Sequence, residues 1–181
     1  MEHQLKRCGW CVGDPLYEAY HDLEWGVPVY DDLTLFEFLI LETFQAGLSW
    51  ITILRKRENF RNAFEGFDYT KIANYDATKF DSLLINKGII RNKLKINAVI
   101  YNAQSVIEIK KEYGTFKNWL DIESPKPKED WVCLLKKRFK FVGGEIVAEF
   151  LMSLGYLEGA HHKDCEVYKD IVKSKPKWLE I

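Results

Sequence analysis

The chain has 181 residues, 47% of them hydrophobic and 14% aromatic, with a formal net charge of −1. That size and apolar content suit one domain with a buried core and exclude a disordered chain. Met1 to Trp10 is charged and carries no apolar signal segment, and no apolar run approaches the ~18 residues of a membrane span. A soluble, cytoplasmic protein is expected.

Cap and turn residues divide the chain into helices. Asp14-Pro15 predicts an N-cap and first helical residue, opening a short helix through Tyr20. Asp31 or Asp32 caps an apolar helix ending near Gln45, and Gly47 fits its stop. Ser49 can cap a helix over Ile51 to Phe64 whose outer face carries Arg55, Lys56, Arg57 and Glu58. Asp76 starts a helix to about Asn86, Gly88 ends it, and a long helix follows from about Ile90 to Tyr113. Ser124 to Lys128 is the clear loop. Helices through Trp131–Leu135 and over Glu145–Leu154 follow, then a polar tail from Gly159 rich in His, Lys and Cys. The expected class is all-α, one domain over residues 1–181.

One acid stands out. Glu42 lies in the stretch Leu33 to Phe44, apolar on nearly every side. A carboxylate there costs several kcal/mol unless it is paired, hydrogen-bonded or used. Around it run Trp10, Tyr17, Tyr20, Trp25, Tyr30, Phe36, Phe38, Phe44 and Trp50. Aromatic faces beside a buried acid suit a flat, electron-poor, cationic ligand. The plainer reading is a solvated glutamate and an ordinary core. Glu37, five positions earlier and roughly 140° round the helix, is the control: one acid can reach solvent while the other points inward.

The charge of −1 hides two basic clusters, Lys87, Arg91, Lys93 and Lys95, then Lys136, Lys137, Arg138 and Lys140. Each is also what a solvated helix face looks like. The first cluster falls on a helix, glycine turn and helix over about 76–113. Free N–H groups at the second helix's start, with Lys87, Gly88, Arg91, Lys93 and Lys95 at the same end, can hold one phosphate without reading sequence. Beside an aromatic pocket, such a module would position DNA while the pocket receives a base.

Four cysteines without a signal segment argue against disulfides. Cys8 and His21 enclose twelve residues, His161 and Cys165 three. Two Cys and two His make a closed tetrahedral zinc set, hence structural, which would staple the tail to the N-terminal region. Cys11, His162 and Asp164 are rival ligands, and free core thiols with surface imidazoles are the plainer reading. Cys133 reads as a buried thiol.

Several strings, in order, resemble the DNA-3-methyladenine glycosylase I family, a branch of the helix-hairpin-helix glycosylases. They are Arg7-Cys8-Gly9-Trp10, Asp14-Pro15-Leu16-Tyr17, Tyr20-His21-Asp22 and Glu24-Trp25-Gly26-Val27-Pro28. Gln45-Ala46-Gly47-Leu48-Ser49-Trp50-Ile51-Thr52, Arg57-Glu58-Asn59-Phe60, Gly88-Ile89-Ile90-Arg91, Lys95-Ile96 and Phe139-Lys140-Phe141-Val142-Gly143 continue them, so that the resemblance covers roughly residues 7 to 165. Two departures are the direct step from Arg138 to Phe139, where the family often has a glycine, and a short stretch from Ile122 to Trp131.

The resemblance implies a helix-hairpin-helix glycosylase fold and hydrolytic excision of 3-methyladenine, with 3-methylguanine a further candidate, from double-stranded alkylated DNA. It implies structural zinc on Cys8, His21, His161 and Cys165. It places the base among Trp10, Tyr17, Tyr20, Glu42 and Trp50, with Trp25 nearby, and makes Glu42 and Tyr20 the catalytic pair. Lys87, Gly88, Arg91 and Lys93 then hold the backbone, and Leu48 fills the gap left by the flipped base. No Gly-Pro-Asp triplet and no obviously placed Schiff-base lysine are present. A monofunctional enzyme without strand cleavage is expected, monomeric and with no protein partner implied. A glycosylase for another alkylated purine and a non-catalytic binder of alkylation damage are the alternatives. A zinc hydrolase is disfavoured because the four-ligand set leaves no open position.

Overall fold

A computed structural model describes residues 6–180; residues 1–5 and 181, the ends of the expected domain, lie outside the described residues. Every regular element among the described residues is helical, as expected. The order is α1 (Pro15–Leu23), α2 (Asp32–Gln45), α3 (Trp50–Leu54), α4 (Arg57–Ala63), α5 (Tyr69–Ile72), α6 (Ala77–Ile85) and α7 (Lys93–Tyr113). Then come α8 (Phe116–Glu123), α9 (Lys128–Arg138), α10 (Gly144–Ser153) and α11 (Glu166–Lys173), with 3₁₀ turns at Glu65–Phe67 and Lys177–Glu180.

Helix α2 is the axle of the fold. The Asp31 carboxylate caps it by accepting from the Thr34 N–H at 2.8 Å. Every residue from Leu35 to Phe44 is buried, so this stretch of the helix presents no wet face. Helices α3, α7, α8 and α10 surround it, and Phe60 and Phe64 pack their rings 4.7 and 6.0 Å from that of Phe44. Each such buried side chain contributes about 1.5–3 kcal/mol of transfer free energy. At the other end, Gly47 turns the chain at φ +82°, a conformation that costs a side-chain-bearing residue.

That end also corrects an expectation. Lys95 does not add its charge to a phosphate site. It is buried, and its Nζ donates to the Phe44 and Ala46 carbonyls, each at 2.7 Å. A cation on the last carbonyls of α2 satisfies orphan acceptors and complements the helix dipole.

Five further differences separate the fold from the expectation. The helix expected over Ile51 to Phe64 is two, because the chain turns at Arg55-Lys56. The turn re-aims Arg57 from the outer face toward Glu37 and Glu24. Ser49 precedes α3, but its hydroxyl meets the Thr52 hydroxyl at 2.7 Å instead of a backbone N–H. The long helix starts at Lys93 and not Ile90, since the Asn92 carboxamide caps it by accepting from Leu94 and Lys95. The tail is not wholly polar: α11 buries Val167 and Ile171 against Cys8 and Cys165. Cys133, expected inside, is exposed on α9.

Candidate functional site

A cavity of about 310 Å³ opens among α1, α2, α3, α10 and the segment before α11, lined by Trp10, Tyr17, Tyr20, Trp25, Glu42 and Trp50. All six residues expected to form a base pocket are therefore brought together. Tyr20 and Trp50 tilt against each other at 5.3 Å, and Trp10 meets Tyr17 edge-on at 4.7 Å. Trp25 is fixed from behind, its indole N–H donating to the Ala160 carbonyl.

The polar atoms of this wall are unusual. Glu42 is 1% exposed, and its Oε2, the Tyr20 hydroxyl and the Trp50 indole nitrogen are buried without a partner. Each such group normally costs about 1–3 kcal/mol. Burial pushes the Glu42 carboxyl well above the usual carboxylate range, and the like charge of Glu149 adds to the push. Burial also raises the Tyr20 phenol, with Glu42 contributing, so it stays an O–H donor.

Glu37 overturns the expectation that one of the two glutamates of α2 reaches solvent. It is only 7% exposed, and Arg57 Nε and Arg61 Nε hold it at 2.5 and 3.0 Å. Because α2 is enclosed all round, turning 140° leads from one interior wall to another.

Cys8, His21, His161 and Cys165 also meet, all buried, with their candidate ligand atoms within 4.8 Å of one another. Sulfur-to-nitrogen separations are 3.6–3.9 Å and the two imidazole nitrogens lie 3.1 Å apart. The edges of a tetrahedral site with zinc-like bond lengths are roughly 3.3–3.8 Å. The outward ring nitrogens are already spoken for: His21 Nδ1 faces Asp22 Oδ1 at 2.8 Å, and His161 Nε2 donates to the Trp25 carbonyl at 2.7 Å. With the ring protons placed there, the two inward nitrogens confront each other lone pair to lone pair, an arrangement a cation between them resolves. Arg7 clamps Asp22 through Nε at 3.0 Å and Nη2 at 2.8 Å. The rivals fall away from the centre: Cys11 turns its thiol to the Cys8 carbonyl, Asp164 pairs with Lys6, and His162 faces the cavity. Gly26, at φ +80°, lets the tail cross, since a Cβ there would sit 2.8 Å from that of Ala160.

The hairpin of α6 and α7 presents Lys87, Arg91 and Lys93 exposed at its turn. Gly88 is packed so closely that a Cβ would meet Asn59 Cβ at 3.1 Å. Its N–H is taken by the Asn86 carboxamide at 2.8 Å, so Gly88 shapes the turn without offering a free donor. Leu48 is exposed just past α2, its N–H bonded to the Gln45 carbonyl at the cavity's edge. In the second basic cluster Arg138 is paired with Glu112.

A family model described as methyladenine glycosylase matches residues 10–132. The chain belongs to the methyladenine glycosylase family. DNA-3-methyladenine glycosylase 1 of Escherichia coli (strain K12) is 38% identical over 183 residues, 91% of this chain and 97% of that protein. A crystal structure of 3-methyladenine DNA glycosylase I superimposes with a TM-score of 0.82 at 39% identity, covering 89% of this chain and 98% of that one. A tyrosine-to-phenylalanine variant of 3-methyladenine DNA glycosylase I, in complex with 3-methyladenine, matches with a TM-score of 0.82 at 33% identity over 89% and 96%.

The methyladenine glycosylase match spans Tyr20, Glu42 and Trp50 but stops before Glu149, Met152 and His162, which the fold carries to the same cavity, and before His161, which it carries to Cys8 and His21. Gln45, Glu149, Met152 and His162 line the cavity without having been expected there. For Glu149 a signal existed. Like Glu42, it is an acid in an apolar run, Ile146-Val147-Ala148-Glu149-Phe150-Leu151-Met152.

Proposed function

We propose that this methyladenine glycosylase is a monofunctional base-excision repair enzyme that hydrolyses the N-glycosidic bond of 3-methyladenine in alkylated double-stranded DNA. It acts as a cytoplasmic monomer, with 3-methylguanine as a further candidate substrate. One observation carries the reading. Tyr20 Oη, Glu42 Oε2 and Trp50 Nε1 lack partners on three residues that line one aromatic cavity. A flat, cationic base with an exocyclic amine answers all three needs. It stacks on the rings, meets the acid with its charge and gives the orphaned atoms something to bond.

The chemistry asks little of the protein beyond recognition. Methylation at N3 places a positive charge on the base, so the electron pair of the glycosidic bond leaves with it and neutralises it. The sugar becomes oxocarbenium-like, water adds at the carbon, and its proton passes to solvent. Glu42 accepts a hydrogen bond from the amine and stabilises the cationic ring, while the Tyr20 phenol remains a donor against it. Reaching the base requires flipping it from the stack. The helix-hairpin-helix turn at Lys87, Gly88, Arg91 and Lys93 holds the backbone, and Leu48 fills the vacated space.

Zn²⁺ fits the donor set of Cys8, His21, His161 and Cys165, and when bound it supplies cross-linking and no chemistry, since four protein ligands close its shell. Its place is structural. The cluster ties the segment before α11 to α1, behind Trp10 and Trp25.

Methylated DNA incubated with wild type and Glu42→Gln, with released bases identified by chromatography and zinc measured on the same preparations, tests the reading. Release of 3-methyladenine by wild type alone, without strand nicking and with about one zinc per chain, is expected. Stoichiometric binding without release, or undiminished release by Glu42→Gln, overturns the catalytic part. Metal-free, fully active protein overturns the zinc.

A further inference from the structure

Glu42 is not the only acid in the cavity. Glu149 enters the same lining from α10, one turn before Met152, which also lines it. Its side chain is half-buried and makes no hydrogen bond or ion pair among the described residues, whereas Glu145, a turn earlier, pairs with Lys128 at 3.0 Å. Among the described residues no lysine or arginine lines the cavity. The titratable groups around the two carboxyls are Tyr17 and Tyr20 from α1, His162 from the segment before α11, Glu145 in the first turn of α10 and Lys128 at the start of α9.

A single buried acid is enough to accept one hydrogen bond from an amine. Two unpartnered acids in one cavity do more: they repel each other in the empty protein, and a neutral ligand leaves that repulsion in place. A cation relieves it with both partners at once. We propose that Glu149 is a specificity-determining residue, a second carboxyl that works with Glu42 to make the pocket select positively charged purines over neutral ones. The inference rests on the function proposed above and names what sets the base preference of that site. The electrostatics agree with the geometry. Burial and then Glu149 raise the Glu42 carboxyl, while burial and then Glu145 raise Glu149 against the opposing pull of Lys128. Removing the charge of Glu149 therefore lets Glu42 ionise more readily.

The test is the pH dependence of kcat/KM for 3-methyladenine release from methylated duplex DNA by wild type, Glu149→Gln and Glu149→Asp, with inhibition by free adenine as the neutral comparison. Gln is close in shape and loses no partner, so folding is preserved and a melting curve confirms it. For Glu149→Gln the alkaline plateau should fall about tenfold, the scale of one lost charge contact in a partly screened site. Its acid limb should move to lower pH, because Glu42 ionises more readily once its like-charged neighbour is gone. Inhibition by adenine should not weaken. Glu149→Asp keeps the charge and should keep the wild-type limb. An unchanged profile overturns the proposal. So does a uniform loss at every pH with the limb unmoved, which is what a purely structural residue would give. If wild type itself releases no 3-methyladenine, it is the underlying functional reading that fails.

Discussion

Glu37 and Glu42 lie on the same helix, both buried, and the fold gives them opposite surroundings. Glu37 meets Arg57 at 2.5 Å and Arg61 at 3.0 Å, with Arg57 also bonded to Glu24 at 2.6 Å. Glu42 is the more deeply buried of the two and has no partner among the described residues. A buried charge left uncompensated is expensive. At Glu37 the compensation is built into the chain, so that side of α2 is scaffold. At Glu42 the compensation must arrive from outside, so that side is a site.

The largest expected effect breaks the comparison at Glu42. Glu42→Gln should lower 3-methyladenine release by about 10²–10³, roughly 3–4 kcal/mol of transition-state stabilisation. The same variant should melt at a higher temperature than wild type, because it removes a carboxyl that costs the empty protein stability. Loss of activity together with loss of stability would make Glu42 a structural residue like Glu37.

Arg57→Ala probes the other side. It strips the main partner from Glu37 and should destabilise the fold by about 3 kcal/mol in denaturant melts. The folded fraction should retain kcat within about twofold, and an equal collapse of kcat would show that the two walls are one machine.

Stability against pH separates the acids without touching either partner set. Burial and Glu149 raise Glu42 in the folded state, so there the native protein binds the proton more tightly than the unfolded chain. Glu42's contribution therefore declines as pH rises from the ordinary carboxylate range through its raised value. A difference of about 1 kcal/mol between wild type and Glu42→Gln should open over that window and be absent below it. A constant difference across the pH range would count against an ionising Glu42.

The smallest effects lie farthest from α2. Arg91→Ala and Lys93→Ala should each weaken duplex binding equally on all sequences and reduce the salt slope by about 1. Sequence-dependent losses would move these residues from phosphate contact to base reading.

The elements were largely legible because their signals are local. Asp14, Asp31 and Asp76 each cap the helix that follows by accepting from its first N–H groups, and only residues a few positions away decide that. Where tertiary partners decide, local pattern misleads. Lys95 reads as surface charge and caps α2 from another helix. Arg57 reads as an outer-face residue and turns inward to Glu37. Glu166 to Lys173 reads as polar tail, yet its helix gains an apolar wall from Cys8 and Cys165.

By itself the sequence determined the helical class, the aromatic residues with Glu42 among them, and the two Cys/His pairs, because residue chemistry and short spacing need no third dimension. Tertiary structure alone decided that Glu37 is paired and Glu42 is not, that Glu149 shares the cavity with Glu42, and that the Cys/His pairs converge. The reason is physical: whether a buried charge is satisfied depends on which groups the packed chain brings within a few ångströms, and distance along the chain does not fix distance in space.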